Sequence, residues 1–288
     1  MTDPRSDQPP NLRSLEQRID NIAHRDDRPV RRIQRAIANT VVGQMLPAGV
    51  VKGGTAMKLR MGEANSRFTP DLDAARSANL SLAAYLRELE DRLTGGWGSF
   101  TGTIQAMPPP QPKGVPTDYI MRPFEIRLSY KGRHWLSVTF ELGRDEVGST
   151  LGYDLRIAAD IVALFGELGL QRPEPIPVLA VDHQIAQKLH ACTSVNPRTG
   201  KNERAHDLVD IQILIEEEEV DLAAVGVTAR RLFTSRSAHP WPPTVVAHDG
   251  WTTIYAAAAD GLEVIADAGN AVAWANDLIA RIDARGSE

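Results

Sequence analysis

A single cysteine, Cys192, occurs in the 288 residues, which excludes an internal disulfide framework and a cysteine-based zinc site. Long apolar runs are also missing, and none approaches the roughly 20 residues that a membrane-spanning helix needs. The polar opening, MTDPRSDQPPNLRS, lacks the apolar core of a secretory signal, so a cytoplasmic, soluble protein with no membrane partner is expected. There is no Gly-x-x-x-x-Gly-Lys-Ser/Thr sequence, which removes a P-loop as the means of holding phosphate. No internal repeat is visible. Neither sign of charge dominates: a net charge of −5 argues neither for nor against nucleic acid, and an anionic ligand would need a local basic patch.

With 42% apolar and 24% charged residues, the composition is that of a globular chain long enough for one large domain or two joined ones. Residues 1–10 read as a disordered tail. From Asn11 to about Leu46 run two helical patterns, broken where aspartates and a proline punctuate Asp26–Pro29. The segment HRDDRPVRRIQR, with Arg25, Arg28, Arg31, Arg32 and Arg35, is a candidate basic patch whose plainest reading is a solvated helix face. Val50 and Val51 form a short buried strand entering Gly53-Gly54. Thr55 then caps a short helix, Ala56 to Met61, that Gly62 closes. Leu72 lies in a second short strand, and SLAAYLRELEDRLTGG places Leu82, Leu86, Leu89 and Leu93 at helical spacing before Gly95. GGWGSFTG reads as a helix stop and loop.

Two runs then alternate with a period of two: Phe124, Ile126, Leu128 and Tyr130, followed by Leu136, Val138, Phe140 and Leu142. They predict a hairpin with one face on the core, turning at Lys131–Arg133. MPPPQPKGVP (Met107–Pro116) reads as an exposed loop. Past Asp160 the chain becomes helical, with RPEPIP (Arg172–Pro177) as a linker and Asp182 capping HQIAQKLHAC. The expected division is an α+β lobe over residues 11–172 and an all-helical lobe over 173–288.

Asp71 and Asp73 flank Leu72, so an extended backbone there points both carboxylates to one side. Such a pair repels unless a cation lies between. Mg²⁺ suits it, taking one or two carboxylates plus substrate phosphates, and two such ions can stabilise both oxygens of an in-line displacement. Gly53 and Gly54 allow close backbone approach, and the helix start beyond them is an anion site, with Lys52 and Lys58 or Arg60 adding charge. Gly-Gly alone is usually a turn and Asp-X-Asp alone a surface loop. The ordered set is far more selective and describes a nucleoside triphosphate on the glycines with its metal ions on the aspartates. Glu141, on the polar face of its strand with Ser137 and Thr139, is the candidate third carboxylate, with Glu125 the alternative. Phosphorylation of Thr69, two residues before Asp71, would add about −1.5 to −2 charges and obstruct the nucleotide and its Mg²⁺.

This arrangement resembles the nucleotidyltransferase superfamily built on a DNA-polymerase-β-like palm. VVKGGTAMKLR…SRFTPDLD, then HQIAQKLHA, then RAHDLVDIQ are similar to the successive motifs of the AbiEii/AbiGii toxin family and its MenT-type subgroup. HPWPP before an aromatic-containing helix fits that subgroup as well. The similarity runs from about Asn11 to the C-terminal helix. It implies a bilobed α+β protein, a palm of mixed sheet and helices with a C-terminal helical lobe. It also implies a toxin, restrained by a cognate antitoxin, that takes an NTP with Mg²⁺. Such toxins add nucleotides, often pyrimidines from CTP, to the 3′ acceptor end of tRNA, which blocks aminoacylation and translation.

Carried onto this chain, Gly53, Gly54 and Thr55 match the glycine motif and Asp71 and Asp73 the metal pair. Lys188 matches the lysine of the third motif, and Asp207 and Asp210 the aspartates of the fourth. The resemblance thus makes Asp71, Asp73, Lys188, Asp207 and Asp210 catalytic and has Gly53, Gly54, Thr55 and Lys188 hold the NTP, to which Lys52 and Arg60 add the charge read above. Lys188 would neutralise phosphate charge. Asp207 and Asp210, i and i+3 on a helix, would orient it or bind the nucleobase or 3′-OH. Pro70 and Ala74 depart from the family pattern. Two other readings stay open: transfer to a protein or small molecule, and a catalytically degraded antitoxin-binding module, against which Asp71, Asp73 and Lys188 argue. Arg204, His206, His190, Cys192 and Glu216–Glu219 read as surface or core.

Overall fold

The computed structural model describes residues 7–109, 120–196 and 199–285. By packing they divide into two units, one of residues 7–109, 120–145 and 153–178, the other of 146–152 and 179–285. The first holds a mixed sheet with helices, and the second is helical. Among the described residues no helix is long and apolar enough to cross a membrane.

In the first unit, helices α1 (Leu12–Arg25) and α2 (Val30–Met45) precede strand β1 (Gly49–Lys52), helix α3 (Gly53–Met61) and strand β2 (Leu72–Arg76). Helix α4 (Leu82–Gly95), strands β3 (Phe100–Ala106), β4 (Arg122–Tyr130), β5 (Arg133–Gly143) and β6 (Tyr153–Arg156), helix α5 (Ala159–Glu167) and strand β7 (Ile176–Leu179) follow. Side-chain caps start two of these helices: Asn11 accepts from Ser14 N at 3.0 Å, and Ser81 accepts from Ala84 N at 3.1 Å. The sheet order is β3-β4-β5-β2-β1-β7-β6. β2 runs antiparallel to β1 and parallel to β5, and β4 and β5 form the expected antiparallel hairpin. Alternation sends Leu72 and Ala74 of β2, with Phe140 and Leu142 of β5, into a core shared with Ile33, Ile37 and Val41 of α2.

Several local expectations change for identifiable reasons. α3 begins at Gly53, three residues before Ala56, and has no side-chain cap, because the Thr55 hydroxyl bonds elsewhere. The segment read as a loop, GGWGSFTG, leads into strand β3, whose Phe100 ring packs 5.0 Å from Tyr130 and 5.5 Å from Trp135. The linker read at Arg172–Pro177 instead runs into β7, where Val178 pairs parallel with Val51, so the first unit extends to 178 rather than 172. A register shift at Leu128/Ser129 turns Trp135 inward, which simple alternation did not foresee. Residues 1–6 of the expected tail lie outside the described residues, but Pro9 is buried and its carbonyl accepts from Tyr130 Oη at 2.8 Å. Most of the proline-rich loop likewise lies outside them.

The second unit comprises α6 (Val181–Thr193), α7 (His206–Glu217), α8 (Leu222–Arg236), α9 (Trp251–Ala259) and α10 (Ala268–Arg285). Asp182, expected as a cap, accepts from Thr228 Oγ1 of α8 at 2.6 Å, and α6 starts without a side-chain cap. α7 and α9 are joined by Gln212 Nε2 donating to Tyr255 Oη at 2.9 Å. On α6, the buried His190 ring packs edge-on against Phe233, 4.8 Å away, and lies 4.9 Å from His239. Its Nδ1 accepts from Arg236 Nη1 at 3.2 Å, and Arg236 is held in turn by Glu146.

Protonation at Nδ1 would set a proton against the Arg236 guanidinium. Burial first, and then the charges of Arg236 and His239, push the His190 imidazole down to about 3 from 6.5. Below the unfolded value the unfolded chain binds a proton that the folded chain refuses, so this contribution to stability falls as pH drops from 6.5 toward 3. Urea midpoints at about pH 7 and about pH 4.5 should therefore differ less for His190→Leu than for the wild type. His239, lowered in the same direction by burial, leaves a residual slope. Equal pH slopes for the two proteins would remove His190 as the cause.

Candidate active site

The face of the sheet opposite the core carries the polar row. Lys52 at the end of β1 pairs with Asp73 of β2, and Asp73 pairs with Glu141 of β5. Directly paired residues project to the same side, so the ammonium and two carboxylates lie abreast on three adjacent strands. All three are half-buried. The Lys52 Nζ passes toward Gly143, 3.3 Å from where a Cβ would stand there. Glu125 lies one strand further out, opposite Thr139, with its carboxylate 3.9 Å from Arg127 Nε. Asp71 sits just before β2, two residues upstream of Asp73.

The glycines abut this row. Gly53 has φ +64°, and a Cβ at that position would stand 2.2 Å from Asp73 Oδ2. A Cβ on Gly54 would meet Thr69 Oγ1 at 2.7 Å. Both positions need glycine, one for its backbone angle and both for the close approach. Thr55 is buried and donates to the Asp71 carbonyl at 2.9 Å, while Asn39 Nδ2 of α2 donates to Thr55 Oγ1 at 3.1 Å. These two bonds tie the backbone at Asp71 to α2 and α3. Asn39 went unnoticed in the sequence; its one signal was a polar amide within the apolar run AIANTVV.

The basic run of α2 is only partly a solvated face. Arg32 pairs with the buried Glu63 at 2.7 Å and donates to the carbonyls of Glu63 and Ser66. Arg35 donates to Ser137 O at 2.7 Å. Burial, then Arg31, push its guanidinium below the usual value, and the nearby Asp71 charge opposes them. Arg31 lies over the Phe68 ring at 5.6 Å. Arg25, by contrast, is exposed and pairs with Asp26 and Glu167.

Other expected site residues fall differently. Arg60 is on the last turn of α3, its side chain buried and paired with Asp154, at the opposite end of the helix from Gly53. Lys58 is buried against Glu63. Burial is the main influence lowering its ammonium pKa, and Glu63 opposes it. Thr69, expected as a phosphorylation site, is only 7% exposed and its hydroxyl lies against Gly54, so modification there would need the side chain to leave this position. For a divalent cation the donors are of the right kind, oxygen only. Asp73 and Glu141 lie abreast, although no three His, Cys, Asp or Glu among the described residues gather into a set that could hold an ion. Two abreast carboxylates would contribute to a hard cation's shell only with further oxygens, such as substrate phosphates, completing it.

In the helical unit, Lys188 of α6 donates to Asp207 Oδ1 at 3.0 Å and to Asp210 Oδ2 at 2.5 Å. Both carboxylates are fully buried on one face of α7, and Arg204 Nε reaches Asp207 Oδ2 at 2.7 Å. Arg204 is therefore part of the cluster although half-exposed. Cys192, a turn away on α6, is buried, and burial together with the Asp207 charge pushes its thiol upward, which fits a packed residue rather than a nucleophile.

Among solved structures the chain is similar to MenT4, a nucleotidyltransferase toxin from Mycobacterium tuberculosis H37Rv. The identity is 17% and the TM-score 0.46, with 89% of this chain and 94% of that chain covered. It is also similar to JHP933 from Helicobacter pylori, at 14% identity and a TM-score of 0.43, with 88% and 91% covered. No curated protein matches the chain significantly. The family model described as nucleotidyl transferase AbiEii toxin, type IV toxin–antitoxin system, matches residues 35–277. That span includes the carboxylate strands, the Gly-Gly helix start and the Lys188 helices, and the chain belongs to the AbiEii family of nucleotidyltransferase toxins of type IV toxin–antitoxin systems.

Proposed function

We propose that this toxin transfers a nucleotide, with CTP favoured, to the 3′ acceptor end of tRNA in a Mg²⁺-dependent reaction, blocking aminoacylation and translation until a cognate antitoxin restrains it. The observation that carries the reading is the row Lys52–Asp73–Glu141 set against the glycine start of α3. Asp73 and Glu141, with Asp71 two residues upstream of Asp73, would hold Mg²⁺ only together with the substrate phosphates, and Mg²⁺ supplies Lewis-acid stabilisation of those phosphates when bound. Gly53 and Gly54 bring backbone to the triphosphate, and Lys52 adds a positive charge on the same face. The acceptor hydroxyl oxygen bonds to the α-phosphorus, the bond from that phosphorus to the bridging oxygen breaks, and pyrophosphate leaves. The hydroxyl proton passes to one of these carboxylates. Thr55 and Asn39 act as positioning residues by fixing the backbone at Asp71. An RNA acceptor is supported by Arg35 near Asp71 and Arg31 near Arg35, with Phe68 under Arg31: cations for phosphate and a ring for a base. The choice of CTP rests on the sequence resemblance.

In the helical unit, Asp207 and Asp210 fix the Lys188 ammonium in one orientation, and we assign that ammonium a charge-neutralising role in the transfer. Removing it strands two buried carboxylates, which costs about 3–5 kcal/mol.

The direct test incubates the protein with total tRNA, Mg²⁺ and each labelled NTP in turn. Label should enter the tRNA 3′ end, most strongly from CTP, and Asp73→Asn or Glu141→Gln should lower the rate about 100-fold or more. No label on any tRNA, with wild type indistinguishable from Asp71→Ala, rules the reading out; label on a protein acceptor would redirect it. Gly53→Ala should cost about 1–2 kcal/mol through its backbone angle and, by displacing Asp73, depress transfer well beyond that loss of stability. Lys188→Met should lose both transfer and stability, whereas Lys188→Arg keeps the charge and recovers part of the folding free energy. A folded Lys188→Met protein with wild-type transfer would leave Lys188 a purely structural role.

A further inference from the structure

A second basic site lies in the first unit, away from the glycine turn. At the carboxyl ends of β2 and β5 a cavity of about 240 Å³ is lined by Arg76, Arg122 and Arg144, with Leu82, Leu142 and Gly143 among its walls. No Asp or Glu is among the described residues that line it. The arginines arrive from three separate places. Arg76 ends β2, Arg122 opens β4 opposite Leu142, and Arg144 follows Gly143 at the end of β5. Neighbouring guanidinium groups repel, and a fold that gathers three of them around one cavity gains most when an anion enters. The guanidinium fork matches the oxygens of a phosphate bidentately, and Arg76 is already steadied by donating to the Leu80 carbonyl.

Position ties this cavity to the carboxylate row. Gly143, one of its walls, lies two residues beyond Glu141 and pairs with Ala75, two residues beyond Asp73. The Lys52 Nζ points toward the same glycine. A phosphate held here would therefore lie just past the row along both strands, off the glycine start of α3. We propose that Arg76, Arg122 and Arg144 form a phosphate-binding site, and that the phosphate it takes is a backbone phosphodiester of the acceptor RNA. The choice of source rests on the RNA reading above, whereas the anion site itself does not.

Binding, not transfer, separates the two ideas. Affinity of the full chain for a short fluorescent RNA is measured by anisotropy at several salt concentrations, and affinity for CTP with Mg²⁺ by calorimetry, for wild type, Arg122→Gln, Arg144→Gln and Arg122→Lys. Arg122 is exposed, so its replacement leaves folding intact, and urea midpoints check Arg144→Gln. Each glutamine variant should weaken RNA binding about tenfold and lower the slope of log K against log salt by about one, with CTP affinity unchanged. Arg122→Lys should keep the salt slope and lose part of the affinity. Unchanged RNA affinity with weakened CTP affinity keeps the phosphate site and assigns it to the nucleotide. If both glutamine variants bind both probes as wild type does, the site is refuted. Failure of transfer to tRNA with these binding losses intact refutes the acceptor reading alone.

Discussion

Asp73 and Glu141 stand side by side on parallel strands, and two carboxylates so placed repel. The sheet nevertheless holds them there because the residues on either side of each in sequence leave no alternative. Leu72, Ala74, Phe140 and Leu142 point the other way into a core from which water is excluded. A slip of one residue would bury the carboxylates and expose four apolar side chains, so the core enforces the register that the polar row needs. Lys52, on the far side of Asp73, offsets part of the repulsion. A cation between the carboxylates would offset the rest.

α2 shows the same economy at a helical period. Its Ile33, Ile37 and Val41 stripe packs into the core, while Arg31, Arg32 and Arg35 lie on other faces and reach the segment between α3 and β2. Asn39, on the same helix, reaches Thr55 and through it the Asp71 carbonyl. A loop that carries a proline and precedes a strand by one residue is thus held by bonds from two helices. The Asp71 backbone is held by the bonds that its carbonyl accepts from Thr55 and Asn39, and its charge lies near Arg35.

The helical unit is held in a different way. A buried ammonium between two buried carboxylates, and a buried imidazole against a guanidinium, each depend on a partner remaining in place. Such groups contribute little net stability when satisfied and a large penalty when stranded, so they specify one arrangement of α6, α7 and α8 more than they strengthen it.

The sequence by itself determined what nearest neighbours along the chain determine. Alternation at 124–142 announced the hairpin and Gly62 ended α3, while the residue types at 53–54 and 71–73 raised the expectation of phosphate and a hard cation there. Lys188, Asp207 and Asp210 were legible through motif order. Long-range pairing was not. Only the tertiary structure decided that β2 lies between β1 and β5, which sets Glu141 rather than Glu125 beside Asp73. It also recruited Ile176–Leu179 to the sheet, turned the Thr55 hydroxyl from capping to holding Asp71, and gathered Arg76, Arg122 and Arg144 at one cavity. The reason is that a strand's partner and register are chosen by apolar area buried and backbone bonds satisfied over the whole sheet. No window of residues contains that sum.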